Sequence, residues 1–461
     1  MLNLRRTLLA SLLAIAAIGT PAAGQDAPSR ILFQNVNVFD GVNDGLQDVD
    51  VLVENGMIVE VGEIGAAANA TVIDGGGRTL MPGLIDSHVH FNLNPGLTLT
   101  ELQGKTWEEI GARAAYAAQE HFAHGFTTVR DMCGMHAGLK NTIDAGFLEG
   151  PRIYLAGGCI GQTGGHGDWG LLTQPKGTSH LERLEITRMV DGRAEVLAGV
   201  RRNYALGSHY TKIMVSGGVT SEKDPIDTRQ MTNDEISAAV EVARSYNTYV
   251  AMHVHNDEDA NRGLDLGVMV VDHGTTITRE TAQRIKDLGA FWSPNTAAMD
   301  EMVWSHPFYQ DTTTLPYRKM RSLWDPSQGV FDIIREVRPK VVFNSDFVLL
   351  SGVPFRQAMD FAKWQIADYA GNFEALRSLT SVGGELARLT GPRNPYPDGP
   401  LGVIQEGAYA DVLLVDGNPL EDISAIGGNP EWFSAAPRGQ EVESIRLIMK
   451  NGVIYKNTLG N

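Results

Sequence analysis

The middle of the chain alternates short apolar segments with amphipathic stretches, and this alternation limits the possible folds more than any other feature. Residues 106–125 and 232–247 have helical patterns, and Thr232 with Glu235 forms a capping-box signature at the start of the second. The eight apolar segments that we predict as strands read LMPGLIDSHVHF, GFTTVRDM, PRIYLAGG, YTKIMVSGG, YVAMHVH, VMVVDHG, AFWSPN and VVFNSDF. Eight strands, mostly followed by helices, favour a (β/α)8 barrel, the TIM barrel of the α/β class, over an open sheet.

Both ends of the chain are rich in short strands that alternate apolar and polar side chains, as half-buried antiparallel strands do. These segments read RILFQNVNVFDG, DVDVLVENGMIVEVG, ATVIDGGGRTLMPG, AYADVLLVDG and SIRLIMKNGVIYKN. The last one predicts a hairpin that turns at Asn451-Gly452. We therefore predict a small β-sandwich formed by residues 25–80 and 401–461, flanking a barrel of residues 81–400.

The N-terminal residues have the three-part pattern of a secretory signal peptide. Arg5-Arg6 precede an apolar run from Leu8 to Ile18, and small residues surround Gly24. The apolar run is too short to span a membrane comfortably. We predict that residues 1–24 direct export to the periplasm or the medium and are then removed.

Charge and cysteine content exclude several classes of protein. The 461 residues carry a formal net charge of -17, which argues against binding to nucleic acid or to an anionic membrane surface. Neither nucleic acid nor a membrane surface is therefore expected as a partner. The two cysteines, Cys133 and Cys159, either pair after export or remain buried thiols.

Metal-binding and basic side chains recur at the carboxyl ends of the predicted strands, where barrel enzymes place their catalytic groups. These residues are His88 and His90 on strand one, Lys212 on strand four, His253 and His255 on strand five, His273 on strand six and Asp346 on strand eight. Residues two apart in a strand face the same way, so each His-x-His pair can point into the barrel. An inward-facing lysine is costly unless it pairs with an acid or is modified, for example by CO2 to a carbamate that could bridge two cations.

With these motifs the chain resembles the amidohydrolase superfamily over nearly its whole length, up to the segment LGVIQEGAYADVLLVD. The motifs DSHVH, HVH, DHG and NSD, with the strand-four lysine, are similar to those of the binuclear branch. That branch contains Xaa-Pro and related dipeptidases and metal carboxypeptidases, and ochratoxin-cleaving hydrolases of N-acyl amino acids lie nearby. The resemblance implies a homo-oligomer in which two divalent metal ions, usually zinc, share a hydroxide that attacks the scissile carbonyl.

The resemblance also implies the role of each residue. The ligands would be His88 and His90 for the more buried ion, His253 and His273 for the other, carbamylated Lys212 as the bridge, and Asp346 as a ligand and catalytic proton carrier. His166, at the end of a glycine-rich loop, would bind and polarise the substrate carbonyl, and a loop histidine without a role is the alternative. His255, where some relatives have a tyrosine, would either meet a substrate carboxylate or support His253.

Other residues lie near the predicted site in the sequence motifs. The segment SGGVTSEKDPID, residues 216–227, could cover the pocket. Arg130 and Asp131 could read a carboxylate, but a structural ion pair is the better interpretation. The remaining histidines are interpreted as ordinary surface or helix residues: His121, His124, His136, His180, His209 and His306.

The predicted function is hydrolysis of a C–N bond next to a C-terminal amino acid, in a dipeptide or an N-acyl amino acid such as an ochratoxin-like N-acyl-phenylalanine. One alternative is a mononuclear deaminase or an imidazolonepropionase-like cyclic amide hydrolase. Such enzymes often carry a glutamate three residues after the strand-five histidine and lack the lysine, whereas this chain has Asn256 and Lys212. A non-catalytic scaffold barrel is a further alternative, although every expected ligand position is filled. The released amino acid could be proline, a hydrophobic residue or a basic residue.

Overall fold

The computed structural model describes residues 30–93, 96–306 and 309–460, so the predicted signal peptide lies outside the described residues. The strands are β1 (Arg30–Val38), β2 (Gln47–Asp48), β3 (Asp50–Glu54), β4 (Met57–Gly62), β5 (Thr71–Pro82), β6 (Leu84–Val89), β7 (Phe126–Asp131), β8 (Arg152–Leu155), β9 (Cys159–Gly161), β10 (Thr187–Met189), β11 (Thr211–Met214), β12 (Val250–Asn256), β13 (Val270–Thr276), β14 (Phe291–Ser293), β15 (Lys340–Val341), β16 (Val412–Val415), β17 (Ile445–Lys450) and β18 (Val453–Asn457).

The helices surround the middle strands. They are α1 (Leu99–Leu102), α2 (Trp107–Ala123), α3 (Ala137–Asp144), α4 (His180–Arg183), α5 (Arg193–Ala205), α6 (Asn233–Ser245), α7 (Asp257–Leu266), α8 (Arg279–Asp287), α9 (Leu315–Ser327), α10 (Val330–Val337), α11 (Gly352–Ala370), α12 (Asn372–Ser378) and α13 (Ser381–Arg388). Within the three described ranges, no helix combines the length and the apolar character that a membrane span requires.

The eight predicted barrel strands are all present, as β6, β7, β8, β11, β12, β13, β14 and β15. Their ladders are parallel. Backbone hydrogen bonds close the ring at two seams, from His209 N–H to the Leu155 carbonyl at 2.8 Å and from Ser87 N–H to the Phe343 carbonyl at 2.9 Å. The short strands β9 and β10 extend the sheet beside β11. Helices α2, α3, α5, α6, α7, α8, α10 and α11 follow the eight barrel strands in turn, and α6 begins with the predicted capping box.

The two ends of the chain form one eight-stranded sheet with the order β18-β17-β16-β5-β1-β3-β4, in which β2 pairs with β1. Strands β16 and β5 join the ends in an antiparallel ladder, and the predicted hairpin links β17 to β18. The sheet packs a hydrophobic core of its own, separate from the main barrel core. A TIM barrel with a β-domain from both termini is therefore confirmed, while the boundaries at residues 80 and 400 stay predictions.

The chain passes from the β-domain into the barrel at Gly83. Pro82 pairs with Val412 in the first sheet, whereas Leu84 pairs with Phe126 in the barrel. A Cβ atom at Gly83 would lie 2.0 Å from the Thr127 hydroxyl, so no larger residue fits this crossing. The close approach fixes where β6, with its two histidines, enters the barrel.

The two cysteines are joined in the structure. Cys133 follows β7 and Cys159 begins β9, and their Cα atoms lie 4.9 Å apart. Of the two alternatives that the sequence leaves open, the structure therefore has the disulfide, which links the loops after two neighbouring barrel strands.

Candidate metal centre and active site

All eight residues predicted to form the site meet in one cavity of about 160 Å³ at the carboxyl ends of the barrel strands. They are His88, His90, His166, Lys212, His253, His255, His273 and Asp346. Each comes from a strand of the barrel sheet or from the loop that follows one. The barrel topology thus brings together groups that are up to 258 residues apart, counted from His88 to Asp346.

The ends of β6 and β15 supply a first group of possible metal ligands: His88, His90 and Asp346. One ligand atom of each lies within 4.8 Å of the others, so the three could hold a metal ion. The Nε2 atoms of the two histidines are 3.2 Å apart, and Asp346 Oδ1 lies 3.1 Å from His90 Nε2. Imidazole nitrogens and a carboxylate that converge in this way are the donors that zinc prefers, so these residues fit a divalent cation.

A second group of possible ligands comes from β11, β12 and β13. The ring centroids of His253 and His273 are 4.6 Å apart, and His273 Nδ1 lies 3.8 Å from Asp346 Oδ2. His253 donates a hydrogen bond from Nε2 to the Gly217 carbonyl at 3.1 Å. Lys212 is buried beside these rings. The possible ligands of this group are close together, but His253 and Lys212 already donate hydrogen bonds within the protein, to the Gly217 carbonyl and to Asp272.

Asp272 connects the two groups, and the sequence analysis did not assign it a role. Its carboxylate accepts hydrogen bonds from Lys212 Nζ at 2.5 Å and from Arg130 at 2.8 Å, and it lies 3.4 Å from His88 Nδ1. Burial would raise the pKa of Asp272, but the charges of Lys212 and Arg130 hold that pKa well below its usual range. A carboxylate behind a histidine orients the ring and favours the lone pair on the other nitrogen, here His88 Nε2.

The backbone conformation is unusual at two of the candidate ligands. His273 has φ +67° and Asp346 has φ +44°, in the left-handed region that residues other than glycine rarely adopt. Such conformations cost about 1–3 kcal/mol each and persist where the surrounding structure enforces them. The turn at His273 breaks the strand alternation, so that Asp272 and His273 both face the barrel interior although they are consecutive.

Ionisation in the cavity follows burial and neighbouring charge. Burial lowers the pKa of Lys212, against the opposing effect of Asp272. Burial would raise the pKa of Asp346, but the nearby histidines, His88 first among them, hold it well below its usual range. Burial also lowers the pKa of His88 to about 4, which keeps its ring neutral near pH 7 and able to donate a lone pair to a cation.

The two histidines predicted to bind substrate lie beside the second group. His166 Nδ1 is 2.8 Å from the Ser221 hydroxyl, and its ring stacks on His253 with centroids 4.1 Å apart. His255 Nδ1 is 2.8 Å from the Thr275 hydroxyl, whereas His255 Nε2 is buried without a hydrogen-bond partner. Each ring is therefore anchored through Nδ1, which leaves Nε2 for a ligand.

The rest of the cavity wall is mostly apolar. Part of this wall is formed by Leu93, Trp169, Met299, Val303, Met320 and Leu323. Among the described residues that line the cavity, Lys212 is the only lysine and there is no arginine. His306, which was interpreted as an ordinary surface or helix residue, also lines the wall. Its position depends on the long segment between β14 and β15, which the histidine's own neighbours do not reveal.

Other histidines and the Arg130-Asp131 pair also differ from the predictions. His121 lies in α2 and His124 at its end, as expected of helix histidines, but both are buried, and His209 is buried rather than at the surface. Arg130 pairs with Asp272, not with its neighbour, and Asp131 instead accepts the backbone N–H groups of Phe91 and Cys133. The structural interpretation of Arg130 holds, but its partner lies across the barrel.

Comparisons with known proteins agree with this architecture. Residues 79–454 match the family model described as the amidohydrolase family. Ochratoxinase from Aspergillus niger is 25% identical over 391 residues, which cover 82% of this chain and 75% of that protein.

Two solved structures are similar in fold as well. A prolidase complexed with N-methylphosphonate-L-proline has a TM-score of 0.81 and 30% identity over 93% of this chain and all of its own. A Xaa-Pro dipeptidase with methionine bound in the active site has a TM-score of 0.74 and 26% identity over 93% of this chain and all of its own. The chain belongs to the amidohydrolase family and is a hydrolase that acts on C–N bonds.

Proposed function

We propose that the protein hydrolyses the amide bond of a dipeptide or an N-acyl amino acid and releases an amino acid with a free carboxylate. The observation that carries this proposal is the composition of one cavity, in which the candidate metal ligands face a mostly apolar wall. Such a wall favours an apolar substrate group. The similarity to ochratoxinase and to the prolidase with N-methylphosphonate-L-proline supports an amino acid as one product.

We propose two divalent cations, most simply zinc, in this cavity. His88, His90 and Asp346 would hold the first, and His253 and His273 the second. Lys212 would join them after its ammonium loses one proton and the free amine attacks CO2, when an N–C bond forms, a second proton leaves and an anionic carbamate replaces the ammonium. Arg130 would then remain as the cationic partner of Asp272. Bound here, divalent cations would polarise the scissile carbonyl and make water nucleophilic near neutral pH.

The protein's own groups would divide the remaining work. Asp346 would accept the proton of the attacking water and pass it to the nitrogen of the leaving amino acid. His166 would donate a hydrogen bond from Nε2 to the carbonyl oxygen, on which charge develops in the transition state. His255 would bind the carboxylate through Nε2, because no arginine lies among the described lining residues to do so.

A substrate panel tests the proposal. Zinc-loaded protein is incubated with Xaa-Pro dipeptides, dipeptides that end in hydrophobic or basic residues, and N-acyl-phenylalanine compounds, and released amino acids are quantified by mass spectrometry. We expect release of apolar amino acids, with N-acyl-phenylalanine among the substrates. Deamination products without any amide cleavage, or no turnover of any amide, would contradict it.

The proposed role of His255 predicts a selective defect in His255→Ala. A hydrogen bond to a charged group contributes about 1.5–3 kcal/mol, so kcat/KM for N-acyl-phenylalanine should fall about 10- to 100-fold. The C-terminal amide of the same compound, which lacks the charge, should be cleaved equally by variant and wild type. His180→Ala, outside the cavity, serves as the control. An equal loss on both substrates would assign His255 to the support of His253 instead.

We also propose that the chain is exported with removal of residues 1–24, and that it forms a homo-oligomer. N-terminal sequencing of the secreted protein and light scattering after gel filtration test these two points. A retained leader or a monomer would contradict them.

A further inference from the structure

A buried lysine joins two segments that cover the cavity. Lys319 lies on α9, between β14 and β15, and is 3% exposed. Its Nζ donates to the backbone carbonyls of Gly218 at 2.7 Å and Ser221 at 2.8 Å, and lies 3.4 Å from Asp224 Oδ1. All three acceptors belong to residues 216–227, the loop after β11. The ammonium group of Lys319 thus holds the loop after β11 against α9, a helix that follows β14.

The same loop holds His166 in place. The Ser221 hydroxyl lies 2.8 Å from His166 Nδ1, and the His166 backbone N–H donates to Gln230 Oε1 at 2.8 Å. Gln230 in turn donates to Asp224 Oδ2 at 3.2 Å. The Asp224 carboxylate is therefore linked to His166 through Gln230, and it also lies beside Lys319.

The ring of His166 has little freedom to move. A Cβ atom at Gly218 would lie 2.1 Å from this ring, and the ring stacks on His253 with centroids 4.1 Å apart. The imidazole is therefore packed between the backbone of the loop and a candidate metal ligand. Any shift of the loop shifts the ring.

The hydrogen bonds also determine which ring nitrogen of His166 carries a proton. The Ser221 hydroxyl has one proton and two acceptors, the Gly218 carbonyl at 3.1 Å and His166 Nδ1 at 2.8 Å. Lys319 already donates to that carbonyl from the shorter distance of 2.7 Å, and its Nζ lies 3.5 Å from the Ser221 oxygen. The ammonium therefore favours a Ser221 proton directed at Nδ1, so that the neutral ring bears its own proton on Nε2.

From these contacts we propose that Lys319 is a positioning residue for His166. It fixes the 216–227 loop and, through Ser221, keeps the His166 Nε2 proton available to the substrate carbonyl. This inference rests on the proposed role of His166 and adds a group outside the cavity lining that controls it.

Kinetics of Lys319→Met and Ser221→Ala test the inference, with Arg321→Met, which removes an exposed cation from the same helix, as the control. Ser221→Ala removes no charge, so it remains informative if Lys319→Met folds poorly. We expect each of the two variants to lower kcat about 10- to 100-fold, as misplacement of a catalytic group does, with KM and metal content unchanged. In a His166→Ala background neither change should lower kcat further. An equal loss in both backgrounds would overturn the inference.

A measurement independent of turnover uses 15N-histidine-labelled protein, with the His166 signals assigned from the His166→Ala variant. The wild-type ring should carry its proton on Nε2, and Lys319→Met should move it to Nδ1 or mix the two forms. A proton on Nδ1 in the wild type would overturn the inference whatever the substrate is. Full amide hydrolysis by His166→Ala would instead refute the proposed role of His166 itself.

Discussion

The two groups of candidate metal ligands differ in how the protein holds them. In the group from β6 and β15, His88, His90 and Asp346 turn their donor atoms towards one another, within 4.8 Å. In the group from β11, β12 and β13, Lys212 donates to Asp272 at 2.5 Å and His253 donates to the Gly217 carbonyl at 3.1 Å. The first group can therefore bind a cation without rearrangement. In the second group, Lys212 and His253 must first give up these hydrogen bonds.

This difference suggests an order of assembly. An ammonium at Lys212 repels a cation and attracts Asp272, but a carbamate at the same position does the reverse. The first site should therefore fill without CO2, and the second only after Lys212 is modified. Asp272 would couple the two proposed sites, because it contacts both Lys212 and His88.

The largest expected effect is that of Asp346→Asn, which removes the carboxylate of the preformed group. Loss of a general acid–base residue typically lowers kcat by about 10²- to 10⁴-fold. Steady-state kinetics on the best substrate of the panel measure this loss, and Asp368→Asn, at an exposed position on α11, is the control. Activity within the range of the control would exclude Asp346 from catalysis.

The second prediction concerns Lys212→Met, which removes the proposed bridge. The metal content should fall from two ions per chain to one, with a fall in kcat of about 10²- to 10³-fold from lost charge stabilisation. Elemental analysis after zinc loading measures the metal content. Lys105→Met, which removes a partly exposed lysine on the surface, should leave the metal content and kcat unchanged. If metal content and hydrolysis both survived in Lys212→Met, the bridging carbamate would be excluded.

A smaller effect is expected from Asp272→Asn, which alters the link between the groups. Loss of the residue that orients a metal-binding histidine lowers metal affinity by about 10- to 100-fold, here at the first site through His88. Asp360→Asn is a matched control, because this buried acid pairs with Arg438 at 2.9 Å outside the cavity. Both variants should lower the free energy of unfolding, by about 3–5 kcal/mol for Asp272→Asn, because its partners Lys212 and Arg130 are buried, and by less for Asp360→Asn, because Arg438 is 25% exposed. Zinc titration separates them, and equal zinc affinities would contradict the proposed link.

Most of the barrel could be predicted from the sequence because buried parallel strands are continuous apolar runs that end at turns. Each of the eight predicted segments overlaps an observed strand. The short strands β9 and β10 were not predicted, since a run of three residues shows no period. Strand β9 is held by pairing with β10 and β11, which both lie further along the chain.

The site was predictable where a histidine or an acid ends a strand, because topology alone brings strand ends together. Asp272 was missed because alternation predicts that it faces away from His273, and only the left-handed backbone at His273 reverses this. Lys319 and His306 lie in the segment between β14 and β15, where no strand end marks them. His121 and His124 were taken for ordinary residues, although burial in packed helices depends on neighbours that the local sequence does not show.

The most direct test of a two-cation site with unequal halves is zinc binding to metal-free protein, with and without bicarbonate, followed by calorimetry and by elemental analysis. We predict one ion per chain without bicarbonate and two with it, with hydrolysis of N-acyl amino acids appearing together with the second. A single ion per chain with full activity under both conditions would contradict this account and would favour a mononuclear enzyme.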